Sequence, residues 1–238
     1  MNLTVAIIIV IIALGSIQLF FKRKFPQTEV EAESAESLPQ QPELDDTPDL
    51  PIGPGYKTQW YAVKTSETKE LLQEMRLTDI QTANWRSGLS AAGGEGYYFV
   101  SPAVKGWTLI VNPIMPDMSF EDRNNPITVI TQLSKRFEEA YYFGTHRVVE
   151  YHVWAKAVDG ELIRAYGYVG DHGLVLIDQG GLTDEERAHH LQFTGPDAEE
   201  PVLPSEEDVL LIAKLWTFDP GKEEEDYPLG TGFIGVME

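Results

Sequence analysis

The side chains best suited to chemistry lie together in one stretch, Thr145-His146-Arg147-Val148-Val149-Glu150-Tyr151-His152-Val153-Trp154-Ala155-Lys156. An imidazole two residues from a carboxyl group can be oriented as a general base, and an arginine nearby can hold an anion. In an extended strand the period of two places His146, Val148, Glu150, His152, Trp154 and Lys156 on one face. Arg147, Val149, Tyr151, Val153 and Ala155 take the other, which reads as the core face. Asp159-Gly160 is a hairpin turn signal. A two-residue turn there sets Trp154 opposite Ala165 and His152 opposite Gly167, leaving a shallow trough lined by Glu150, His152 and Trp154. The same register puts Arg164 on the core face beside Tyr166, where it requires a carboxylate partner or an anion. The candidate binding surface is therefore His146, Arg147, Glu150, His152, Trp154, Arg164 and Tyr166.

These groups do not add up to a catalytic or metal signature. Along a regular strand His146 and His152 stand roughly 20 Å apart, too far to share an ion. Glu150 and His152 are about 6.6 Å apart at the backbone and can share one, but two ligands do not make a site. No spacing picks out a nucleophile for a Glu150–His152 base; Ser101 and Thr145 are merely present. The chain has no G-x-S-x-G, P-loop or dinucleotide fingerprint. Gly93-Gly94-Glu95-Gly96 reads as a loop, Gly230-Thr231-Gly232 as a flexible tail, and Asp184-Glu185-Glu186 as a solvated charge run. No cofactor is implied. Cysteine is absent, which excludes disulfides, thiolate metal sites and a cysteine nucleophile.

The elements that must carry these residues alternate between strand and helix. Trp60–Val63 reads as a strand and Glu67–Met75 as a helix. Tyr97–Val100 and Trp107–Val111 form a hairpin. Asn125 caps a helix begun by Pro126, with Ile127, Ile130, Leu133, Ser134 and Phe137 at helical spacing, and Tyr141–Phe143 returns as a strand. That order, β-α-β-β-α-β, is the ferredoxin-like split arrangement. Val148–Val158 and Leu162–Val169 form the next hairpin, followed by a strand at Leu174–Ile177. Capping sequences at Thr183 and Ser205 open two more helices. The class is α+β, with a mostly antiparallel sheet and flanking helices.

The chain ends frame this domain. Residues 3–21 are uncharged for 19 positions and largely apolar, interrupted by Gly15, Ser16 and Gln18, roughly 28 Å as a helix and close to the thickness of a bilayer core. Lys22, Arg23 and Lys24 follow, and the positive-inside rule sets that side in the cytoplasm. The expectation is a single-pass anchor (1–25) in a bacterial inner membrane, touching lipid through residues 3–21, with the remainder facing the cytosol. Residues 26–55 hold six prolines and eight acids with no lysine or arginine, and read as a disordered, self-repelling tether. Residues 56–238 are the globular domain. The +3 flank and the −8 tether leave −15 of the total −20 for it. Such charge disfavours nucleic acid and suits a basic protein partner.

Gly106-Trp107-Thr108-Leu109, Tyr142-Phe143-Gly144-Thr145-His146-Arg147-Val148, Trp154-Ala155-Lys156-Ala157 and Arg164-Ala165-Tyr166 resemble a group of uncharacterised bacterial proteins. The resemblance spans most of residues 60–220 and implies a bacterial origin and a single domain, with no activity or site residues attached. The reading that follows is a membrane-tethered, non-enzymatic binding module, in one version an immunity-type inhibitor of a toxin. The alternatives are a hydrolase using Glu150 and His152, and a small-ligand sensor using the trough and Arg164.

Overall fold

The structure, a computed structural model, describes residues 42–120, 123–170, 173–195, 197–219 and 226–237. The expected anchor and most of the tether lie outside these residues. Among the described residues no helix is long and apolar enough to cross a membrane.

The molecule is α+β, built on one mostly antiparallel sheet. Its strands are β1 (Lys57–Val63), β2 (Leu77–Asn84), β3 (Tyr98–Val100), β4 (Thr108–Val111), β5 (Glu139–His146), β6 (Tyr151–Val158), β7 (Glu161–Val169), β8 (Leu174–Gln179) and β9 (Thr231–Met237). The helices are α1 (Thr68–Glu74), α2 (Trp85–Glu95), α3 (Pro126–Phe137), α4 (Asp184–Ala188) and α5 (Glu206–Trp216). Strand order across the sheet is β2-β9-β3-β4-β1-β5-β6-β7-β8.

Local chemistry fixes several of these elements as the sequence suggests. Asn125 accepts from the Ile127 amide at the start of α3, with Pro126 at the first helical position where its missing N–H costs nothing. Thr183 and Ser205 form complete capping boxes with Glu186 and Asp208. Asp159 and Gly160 both have positive φ, 48° and 82°, the conformation a tight hairpin turn demands.

Both faces of the sheet are covered, so its strands are apolar on both sides. Tyr61, Tyr142 and Val153 pack under α1 and α3, while Trp60, Phe143 and Trp154 pack with Val209, Ile212 and Trp216 of α5. A one-sided sheet with a polar outer face, the expectation for β6, is thereby corrected. α5 supplies the apolar cover that makes a second buried face stable.

Four further departures share a cause, tertiary pairing that local patterns do not show. The pair β2 and α2 goes unread because β2 has weak alternation and α2 contains Gly88, Gly93 and Gly94. The expected Gly93–Gly96 loop is the end of α2, which stops at Gly96 in the left-handed conformation. The expected flexible tail is β9, an interior strand between β2 and β3. Finally, residues 42–55 are docked on the domain rather than extended. The Asp45 carbonyl accepts from the Asn84 amide at 2.7 Å, and Asp49 pairs with Gly230 in a short backbone bridge. The Asp49 carboxyl group also accepts from the first amides of α2, Trp85 at 2.7 Å and Arg86 at 3.1 Å. The acids here cap and pair with the domain as well as carrying charge.

Candidate functional site

The stretch expected as one continuous strand is a hairpin. β5 ends at His146, residues 147–150 form the turn with Glu150 at φ 49°, and β6 begins at Tyr151. Thr145 therefore pairs with His152, and His146 with Tyr151. The two histidines come close in the hairpin instead of standing far apart along it. They point to opposite faces, since directly paired residues share a face and successive ones alternate. Among the described residues no three metal-capable side chains converge.

The trough is filled. β7 carries an extra residue at Ile163, which shifts the register so that Trp154 pairs with Tyr166, His152 with Tyr168, and Gly167 with Val153. The Trp154 and Tyr166 rings lie 4.9 Å apart and Phe193 closes over both. His152, Trp154, Arg164 and Tyr166 are each at most 3% exposed, so four of the seven expected surface residues are interior. Arg147 and Glu150 remain on the surface and His146 is half-buried.

Arg164 has the carboxylate partner its burial requires, on the same face as Trp154 rather than beside Ala155. Its Nε donates to Glu186 at 2.9 and 3.2 Å, and its guanidinium also pairs with Asp178. Burial pulls the Arg164 pKa down, but these two partners outweigh it and leave it above the ordinary arginine value. Glu186 is 0% exposed and also accepts from Trp154 Nε1 at 2.9 Å and the Thr183 amide at 2.7 Å. One carboxyl group thus ties α4 to β6 and β7. Within an acidic run Glu186 carried no sequence signal beyond its capping-box position, three residues after Thr183.

A second polar string runs along the hairpin. Thr145 Oγ1 lies 3.2 Å from His152 Nδ1, and His152 Nε2 lies 3.1 Å from Glu150 Oε2. Hydroxyl, imidazole and carboxyl group follow in the order of a nucleophile, a base and its orienting acid. Thr145 is fully buried and His152 1% exposed, while Thr145 also borders the cleft at this end of the sheet.

Several open clefts lie on the described surface, and two of them border strand β1 of the sheet. One, of about 500 Å³, is lined by Tyr56, Trp60, Leu210, Leu211 and Phe218, with the Lys214–Asp219 ion pair among its walls. The other, of about 490 Å³, crosses the β1–β5–β6–β7–β8 end of the sheet and includes Gln59, Asp117, His146, Tyr151 and Leu174. Its floor is held by hydrogen bonds that are buried or part-buried. Gln59 Nε2 donates to the Pro113 and Met115 carbonyls at 3.2 and 3.0 Å, and Gln59 Oε1 accepts from Tyr142. The Tyr142 and Tyr151 hydroxyls are 3.0 Å apart, and the Met118 amide donates to Tyr151 at 3.2 Å. Burial drives both phenols well above their ordinary pKa, so this network stays uncharged at neutral pH. Only His146 of the expected seven lines this cleft. Gln59 and Asp117 lacked any sequence signal, because a fold with a loop over a strand end brings them together.

Comparison with known proteins finds no matching family model, no matching curated protein and no matching solved structure.

Proposed function

We propose that this chain is a non-enzymatic binding module, held at the cytoplasmic face of a bacterial inner membrane by residues 3–21, whose partner is a basic protein. An immunity-type inhibitor of a toxin is the version that best suits its charge. The observation that carries the reading is the closure of the chemically capable residues. Thr145, His152, Arg164 and Glu186 are each at most 2% exposed, and each is engaged with a neighbour inside the fold. What remains open is a set of surface clefts and an acidic surface, equipment for binding rather than for proton transfer. The −15 of residues 56–238 would speed encounter with a cationic partner and make binding fall with salt.

A hydrolase using Glu150 and His152 is the alternative, and it needs an opening over the buried Thr145–His152 pair. Within the sheet, the order β3-β4-β1-β5 with α1 and α3 packed on one face supports a ferredoxin-like unit at its centre. β2, α2 and β9 would then be additions to that unit.

Capture from detergent-solubilised membranes at low and high salt tests the reading. The expected result is a basic protein retained at low salt, released at high salt, and retained equally by His152→Ala. A measurable hydrolytic activity abolished by His152→Ala, with fold and abundance intact, would transfer the assignment to the alternative. Reporter fusions to the C-terminus test the orientation, with a cytoplasm-active reporter expected to work and a periplasm-active one to stay silent.

A further inference from the structure

We propose that edge strand β8 takes up an extended, basic segment of the partner protein as an added antiparallel strand, with a Lys or Arg side chain entering the cleft beside Asp117. The proposal rests on the reading of the chain as a module for a basic protein and says where that protein docks.

β8 is one of the sheet's two edges and pairs with β7 alone. Leu174–Ile177 has no other backbone partner among the described residues. An unpaired row of N–H and C=O groups is a template for another strand, and proteins ordinarily blunt such rows with Lys, Pro or a bulge. The opposite edge, β2, is blunted: its register breaks between Thr78 and Gln81, with Asp79 at φ 52°. β8 also carries a bulge, at Leu176, and ends in Asp178-Gln179, but its first four residues read Leu-Val-Leu-Ile with neither Lys nor Pro, and Leu174 is 51% exposed. The bulge sets Leu176 and Ile177 both toward the α1/α3 side of the sheet. That is the side on which the cleft runs.

Cleft and edge are continuous. Leu174 and Leu176 line the cleft at β8, and it continues past Val169, Tyr151 and His146 toward β1. A strand added at β8 presents alternate side chains to this side, and each pairing position is followed by a pocket-facing one. The walls suit the methylene stem of Lys or Arg, and Asp117 suits its charged end. Asp117 is half-buried, and the amide and hydroxyl of Ser119 hold its Oδ1 at 2.8 and 2.5 Å, with no hydrogen bond to Oδ2 from another described residue. His146 Nδ1 is buried with no hydrogen-bond partner among the described residues, and His146 lines the same cleft. A donor arriving there would satisfy a polar group that the described residues leave unpaired.

The test uses the full chain in detergent micelles and three probes: a short peptide alternating Lys and Val, the same peptide N-methylated throughout, and polylysine. Methylation keeps charge and side chains but removes every amide donor a strand needs. The account predicts binding of the parent peptide, at least about tenfold weaker binding of the methylated one, and slowed hydrogen exchange confined to residues 174–177. Asp117→Asn should weaken the parent peptide about tenfold with an unchanged circular dichroism spectrum. Equal binding of the methylated peptide, or binding of peptide or polylysine without protection at 174–177, overturns the strand proposal and leaves the basic-partner reading standing. Failure of all three probes to bind overturns both.

Discussion

At the residue scale, Glu186 is the side chain on which most polar burial depends. It is fully buried and satisfies Arg164, Trp154 and the Thr183 amide together. Removing one member of a buried pair leaves an uncompensated charge, which costs more than the pair itself contributes. Glu186→Gln should therefore lower the unfolding free energy by about 3 kcal/mol in denaturant titrations. Asp178→Asn should cost under about 1 kcal/mol, because the Asp178 side chain is 59% exposed and solvent already screens it. The tyrosines give the pH dependence. Burial pushes Tyr98 and Tyr166 up to about 12, the nearby Asp178 adding to the effect at Tyr166. An unfolded chain ionises its phenols near the ordinary value of about 10. The stability from keeping them neutral is complete below that value and is lost as pH rises from there through about 12. Part of the phenolate absorbance should thus lag behind a model tyrosine and emerge together with unfolding; its appearing in full at the ordinary pH in a still-folded protein would contradict this.

At the element scale, what was legible in the sequence is what local rules govern. The caps at Asn125, Thr183 and Ser205 and the Asp159-Gly160 turn depend on residues a few positions apart. The candidate site departed from expectation through the turn at 147–150, the cover supplied by α5 and one inserted residue in β7. With Ile163 bulged, Trp154 meets Tyr166 instead of Ala165, and a trough becomes a core. Nothing in the local pattern of β7 announces that bulge, because both registers keep an alternating face. β9 was illegible for a similar reason, since its glycines suggest a tail until β2 and β3 are placed on either side. Gly232 is required there: a Cβ on it would lie 2.1 Å from the Val100 carbonyl oxygen. Deleting residues 230–238 should abolish cooperative thermal unfolding, whereas loss of a true tail would leave the melting temperature unchanged. Asp49→Ala removes the partner of two α2 amides and should cost about 1 kcal/mol, read as a shift in denaturation midpoint.

At the scale of the whole molecule, −15 of the formal charge of −20 belongs to residues 56–238, a domain in which Thr145, His152, Arg164 and Glu186 are turned inward. Its acids lie partly in the 42–55 segment, docked against α2 and Gly230, so that segment belongs to the domain's surface as well as to its connection. If the chain is the binding module proposed above, it acts by what it holds, and its charge sets how quickly it is found and how salt releases it. The most direct test is capture by the full-length chain and by His152→Ala, side by side, across a salt series. The account predicts one basic protein retained equally by both and released as salt rises. No salt-sensitive partner, or a partner or activity lost in His152→Ala while the fold is intact, would contradict it.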